Sequence, residues 1–131
     1  MVLVDANILI DVLRPDPAWV GWSEAQLDAA VLGVGACINM MVYTELFPLY
    51  DDLPTLDAAL PPQLQKVAIP FVAAEPIARA FARYKATGGT RTSPLADFFI
   101  GGHAEAAGMT VLTRDPRRFR RYFPGVPLIT P

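Results

Sequence analysis

Val2-Leu3-Val4-Asp5-Ala6-Asn7-Ile8-Leu9-Ile10-Asp11 reads as a short apolar strand over 2–4, a carboxylate at its end, and the opening of a helix near 7–13. Asn7, rather than a turn glycine, follows the acid. Outward from this stretch the same alternation recurs. Asp16-Pro17 places an N-capping acid before a proline at a first helical position, so a second helix is expected over 17–31, ended by Gly33 and Gly35 ahead of a strand at 36–39. A helix at 41–47 is stopped by Pro48, and a short helix at 55–60 precedes a strand at 65–69. A longer helix over 75–86 ends at Gly88-Gly89, and Ser93-Pro94 cap a helix over 95–107 that Gly108 closes. A strand at 110–113, a short basic helix opened by Asp115-Pro116, and a strand at 127–130 complete the chain. Repeated βα units without hairpin dipeptides imply an α/β fold, a central parallel β-sheet flanked by helices, with ligands gathered at the strand carboxyl ends. No internal repeat or linker divides residues 1–131, so one domain is expected.

Four acids stand at the edges of apolar segments. Asp5 ends Val2-Leu3-Val4, Glu45 follows Met40-Met41-Val42-Tyr43-Thr44, Asp97 opens Phe98-Phe99-Ile100, and Asp115 comes two residues after Val111-Leu112-Thr113. A carboxylate drawn toward a core edge is costly unless a cation meets it. Four oxygen donors without a histidine or cysteine cluster form a hard set suited to Mg²⁺ or Mn²⁺ rather than zinc, which points to metal-assisted phosphodiester hydrolysis. Each acid also has a plainer reading. Asp97 would complement a helix dipole, Asp115 before proline and Asp5 before a helix would be N-caps, and Glu45 a solvated helix residue.

The 131 residues are 53% hydrophobic with a mean hydropathy of +0.32, enough for a core and for some apolar surface that meets a partner. The single cysteine, Cys37 in Ala36-Cys37-Ile38, excludes an internal disulfide framework and reads as a buried strand residue. No leader-like or membrane-spanning run is visible, and a reducing cytoplasm is the expected setting. The net charge of −2 hides an asymmetry, because residues 1–65 carry nine acids against one base and residues 66–131 carry ten bases against four acids. Arg114, Arg117, Arg118, Arg120 and Arg121 lie beside Asp115, a footprint for a polyanion or, one by one, a solvated basic helix. His103 lies six residues past Asp97, rotated roughly 120° away on a helix, and is expected to make a structural hydrogen bond. Trp19 and Trp22 share a helix face suited to core or partner packing.

The stretches Val2–Asp11, Tyr43-Thr44-Glu45-Leu46, Pro94-Leu95-Ala96-Asp97-Phe98-Phe99-Ile100-Gly101-Gly102-His103-Ala104 and Leu112-Thr113-Arg114-Asp115-Pro116 with Phe119 together resemble the PIN-domain nucleases. The nearer resemblance is to the VapC toxins of toxin–antitoxin pairs, in order and spacing along essentially the whole chain. It implies a single PIN-like domain in which Asp5, Glu45, Asp97 and Asp115 hold one or two Mg²⁺ or Mn²⁺ ions, with Asn7 and Thr113 as supporting polar residues. Ala96 stands where relatives often carry proline.

That resemblance further implies an endoribonuclease in which an activated water attacks a phosphodiester in line, leaving 5′-phosphate and 3′-hydroxyl ends. Arg114, Arg117, Arg118 and Arg121 would contact RNA phosphates. A homodimer and a cognate VapB-type antitoxin seated in an apolar groove are the implied partners, with Trp19, Trp22, Met40, Met41 and Tyr43 as candidate contacts. Two rivals stand beside it. A haloacid-dehalogenase or receiver-like phosphoryl-transfer domain lacks support, because no second Asp follows Asp5 by two residues and the only lysines are Lys66 and Lys85. A non-catalytic RNA- or protein-binding module would tolerate substitution at Asp5 and Asp97.

Overall fold

The structure, a computed structural model, describes residues 1–92 and 94–131. β1 (Val2–Val4) feeds α1 (Ala6–Leu13) and α2 (Val20–Leu32), and β2 (Ala36–Ile38) feeds α3 (Met40–Leu46), a 3-10 turn at Phe47–Leu49 and α4 (Leu53–Ala59). β3 (Gln65–Lys66) leads through a 3-10 turn at Phe71–Ala73 to α5 (Ala74–Ala86) and α6 (Ala96–Ala107), then β4 (Thr110–Leu112), α7 (Arg117–Tyr122) and β5 (Leu128–Ile129) follow. All five strands are parallel, in the order β3-β2-β1-β4-β5.

That order fixes where a ligand can go. From β1 the chain steps outward to β2 and β3, then crosses back over β1 to β4 and β5. The direction of winding reverses between β1 and β4, so the crevice beyond their carboxyl ends is the switch point where open parallel sheets bind ligands. Asp5 and Asp115 follow those two strands. The α1 helix packs on α2 and α3, and α6 packs on α5, α7 and α3, so α3 bridges the helices that flank the switch.

Element ends differ from expectation where a side chain took another job. Asp16 caps a turn rather than a helix, its Oδ1 accepting from the amides of Ala18 at 2.8 Å and Trp19 at 3.1 Å, and α2 begins only at Val20. Asn39 leaves β2 to cap α3, with its Oδ1 accepting from Val42 N at 3.2 Å. Asp52 caps α4 through Thr55 N at 2.8 Å and starts that helix earlier than expected, at Leu53. The strands expected at 65–69 and 127–130 shrink to two residues each, because these edge strands pair on one side only. The cap expected from Ser93-Pro94 lies partly outside the described residues, and α6 starts at Ala96 with Leu95 in the capping position.

The core is continuous. Leu3, Val4, Ile38, Val111 and Leu112 from the sheet are fully buried, as are Phe98, Phe119 and Phe123 between α6 and α7. Phe98 meets Tyr122 edge-on at 4.9 Å and Phe123 at 6.2 Å between ring centroids. Gly101 lets that aromatic cluster close, since a Cβ there would stand 2.3 Å from the Phe123 ring. Cys37 is buried in β2 and burial pushes its thiol up from the ordinary value, which removes it as a nucleophile. Gly101→Ala is expected to destabilise the fold by about 1–3 kcal/mol through overpacking. Urea unfolding measures this, and wild-type stability in the variant would contradict the packing described.

Candidate active site

Asp5 is buried at the end of β1 and divides its two oxygens between distinct tasks. Oδ1 caps α1 by accepting from Ala6 N at 2.7 Å, so the plain capping role is real. Oδ2 accepts from Thr113 Oγ1 at 2.7 Å and from Asn7 Nδ2 at 3.2 Å. Thr113 follows β4, where its amide still bonds Ile129 O at 3.1 Å, and its hydroxyl in turn accepts from Asp115 N at 3.1 Å. Asn7, in the first turn of α1, accepts from Arg114 N at 3.2 Å through Oδ1. These bonds tie the ends of β1 and β4 into one polar unit.

The other acids arrive from helices. Glu45 projects from the exposed side of α3, and Asp97 occupies the first turn of α6. The Asn39 cap sets the mutual placement of these helices: its Nδ2 lies 3.2 Å from Nδ1 of buried His103 on α6, so the amide donates and the imidazole is neutral with its proton on Nε2. His103 therefore makes the structural hydrogen bond expected of it, and burial lowers its pKa further. Asp5, Asn7, Glu45, Asp97 and Asp115 line one cavity of about 350 Å³ with Ala6 and Ile10. Four side chains chosen for their apolar sequence settings thus meet in space.

Arginines meet two of them. Arg118 Nη1 donates to Asp97 Oδ2 at 3.2 Å, and Arg117 grips Asp115 through Nε and Nη2, both at 2.9 Å. With Arg121, Tyr84 and Tyr122 they line an adjoining cavity of about 410 Å³ that shares Asp97 and Asp115 with the first. Arg114 is placed differently from its neighbours. Its guanidinium forms a two-pronged pair with Asp11, Nε to Oδ2 at 2.8 Å and Nη2 to Oδ1 at 2.9 Å, and stacks 5.1 Å from the Trp19 ring centre. The Arg114 side chain, expected to contact a phosphate, is engaged in this internal pairing.

A PIN domain family model matches residues 2–123. The chain belongs to the PIN domain family. No curated protein sequence matches it. Among solved structures it is similar to VapBC2 from Rickettsia felis bound to a promoter DNA fragment, at 17% identity and a TM-score of 0.75, over 99% of this chain and 98% of that one. DNA-bound VapBC from Salmonella typhimurium aligns at 21% identity and a TM-score of 0.73, over 98% and 96% of the two chains. A toxin–antitoxin complex from Klebsiella pneumoniae aligns at 21% identity and a TM-score of 0.66, over 99% and 97%. These likenesses establish the shared fold.

In this PIN domain the acids disturb one another. Burial, opposed by the Thr113 hydrogen bond and reinforced by Asp97 and Asp115, pushes Asp5 up to about 6. Glu45 is pushed up to about 7, first by dehydration at the cavity wall although much of its side chain is open, then by the charges of Asp5 and Asp97. Asp115 moves the other way, held below the usual carboxylate range chiefly by its bonds to Arg117. Among the described residues, no three His, Cys, Asp or Glu side chains are arranged to hold a metal ion as they stand. The donor chemistry nevertheless fits a hard divalent ion. Four carboxylates face one cavity, burial and mutual repulsion raise two of them, and the two that are paired, half-buried Asp97 and exposed Asp115, are held by arginines that are themselves solvent-exposed.

The sign of the pH dependence follows. Because the folded value of Asp5 lies above the ordinary 3.8, its stabilising protonated form is fully present below that pH and is lost as pH climbs through about 6. In EDTA, Asp5→Asn should therefore gain stability relative to wild type between pH 4 and 7, by at most about 3 kcal/mol. Urea midpoints taken at each pH read this, and a difference that does not change with pH would contradict it.

Proposed function

We propose that this PIN domain is the toxin of a toxin–antitoxin pair, a VapC-type endoribonuclease dependent on Mg²⁺ or Mn²⁺. The observation that carries the reading is the convergence of Asp5, Glu45, Asp97 and Asp115 on one cavity at the sheet's switch point, beside a wall of arginines. When bound, a divalent ion would activate a water and neutralise charge on the phosphodiester. Asp5 and Asp97 are the residues we assign first to holding it, with Glu45 and Asp115 completing the set.

The chain's own groups do the rest. Thr113 and Asn7 occupy Asp5 Oδ2 with hydrogen bonds and fix its direction, so the carboxylate meets its ligand preorganised. Asp5 and Glu45 repel anions unless a cation is present, which makes phosphate binding conditional on metal. Arg117, Arg118 and Arg121 border the same space and would take the nonreacting phosphate oxygens, positioning the backbone without reading its sequence. Asp97 and Asp115 would exchange these arginines for the ion. The Arg117–Asp115 pair is exposed and the Arg118–Asp97 pair half-exposed, so solvent screens both and breaking each costs little.

The solved toxin–antitoxin complexes of the same fold support a VapB-type antitoxin as partner. Exposed apolar side chains support a docking surface for it and for a second copy of the chain. Met40 is 68% exposed, Phe71 99% and Val72 71%. Among the described residues no helix is long and apolar enough to cross a membrane.

Purified protein freed of antitoxin should cut total RNA at discrete positions in Mg²⁺ or Mn²⁺, leaving 5′-phosphate ends, and should be silent in EDTA. Asp97→Asn should lower cleavage by roughly a hundredfold or more with the fold intact. Sequencing of new 5′-phosphate ends reads both effects. A folded, metal-loaded wild type that leaves RNA whole would overturn the nuclease in favour of a binding module.

A further inference from the structure

Asp11 and Arg114 belong to neither cavity, yet they form the best-enclosed ion pair among the described residues. Asp11 is buried at 2% exposure on α1, one turn after Asn7, and nothing in an amphipathic helix calls for a carboxylate there. Every oxygen it has is used. Oδ2 accepts from Ser23 Oγ of α2 at 2.6 Å and from Arg114 Nε at 2.8 Å, while Oδ1 accepts from Arg114 Nη2 at 2.9 Å. Trp19 covers the guanidinium, with its ring centre 5.1 Å away.

From this brace we infer that Asp11 and Arg114 are positioning residues for the acidic site, a role that rests on the nuclease reading above. The argument follows the bonds. The Arg114 side chain is locked onto α1, and its backbone N–H donates to Asn7 Oδ1 at 3.2 Å. With Oδ1 so engaged, the Asn7 amide has one orientation, and its Nδ2 points to Asp5 Oδ2 at 3.2 Å and Thr113 Oγ1 at 3.3 Å. Thr113 and Asp115, the residues on either side of Arg114, are thereby held against the end of β1. A two-pronged guanidinium pair fixes direction as well as distance, which a lysine cannot reproduce. Joining α1 to α2 would need only the Ser23 bond. The fork's additional effect is to set the 113–115 backbone.

The test is Mn²⁺ affinity measured by calorimetry, alongside RNA cleavage and urea unfolding, for Arg114→Gln, for Asp11→Asn/Arg114→Gln, and for Leu27→Ala as a core variant of comparable stability loss. The double variant removes both charges, so no lone buried carboxylate is left to unfold it. Both brace variants should bind Mn²⁺ roughly ten- to hundredfold more weakly while folded at the assay temperature, and Leu27→Ala should bind as wild type does. Wild-type affinity in the folded double variant would overturn the positioning role and leave the pair as structural glue. Wild type that binds no Mn²⁺ and cuts no RNA would instead overturn the nuclease reading itself.

Discussion

A carboxylate buried at the end of the central strand is the constraint on which the rest of the site depends. Asp5 lies 6% exposed beside three other acids, and its ionised form is disfavoured until positive charge arrives. The fold does not supply that charge to Asp5 directly. It supplies two hydrogen-bond donors, Thr113 and Asn7, which orient the carboxylate without neutralising it. The site is thus strained electrostatically, stable enough to persist because the sheet beneath it is fully packed, and suited to an external cation.

The surrounding architecture divides the labour. The sheet's reversal between β1 and β4 creates the crevice, the α3–α6 contact through Asn39 and His103 sets Glu45 against Asp97, and α7 brings arginines to the rim. The charge asymmetry of the chain is visible here, since acids of the first half, Asp5 and Glu45, line one cavity and arginines of the last quarter line its neighbour, the two meeting at Asp97 and Asp115. Arg117 and Arg118 are bonded to Asp115 and Asp97, and under the function proposed above a cation on those acids would release them to phosphate.

Much of the fold was legible because βα alternation is written in short-range patterns: apolar triplets, proline and glycine punctuation, and capping acids. The four acids were legible for a different reason, their anomalous placement next to apolar runs. What the sequence hid were partnerships between distant residues. Asp11 sits among Ile8, Leu9, Ile10, Val12 and Leu13 and carries the same anomaly as Asp5, but its partner lies 103 residues away and no local pattern announces it. Asn39 looked like the end of a strand, and only packing against His103 reveals a cap that also joins helices. The edge strands were overestimated because apolar composition at 65–69 and 127–130 does not register that a sheet edge offers one partner instead of two.

The most direct test of this account is the anomalous scattering of crystals soaked in Mn²⁺ near neutral pH. The account predicts a peak in the cavity bounded by Asp5 and Asp97, with Arg118 turned away from Asp97 toward the adjoining cavity. A cavity without a peak, with Arg118 still bonded to Asp97 at saturating Mn²⁺, would contradict it.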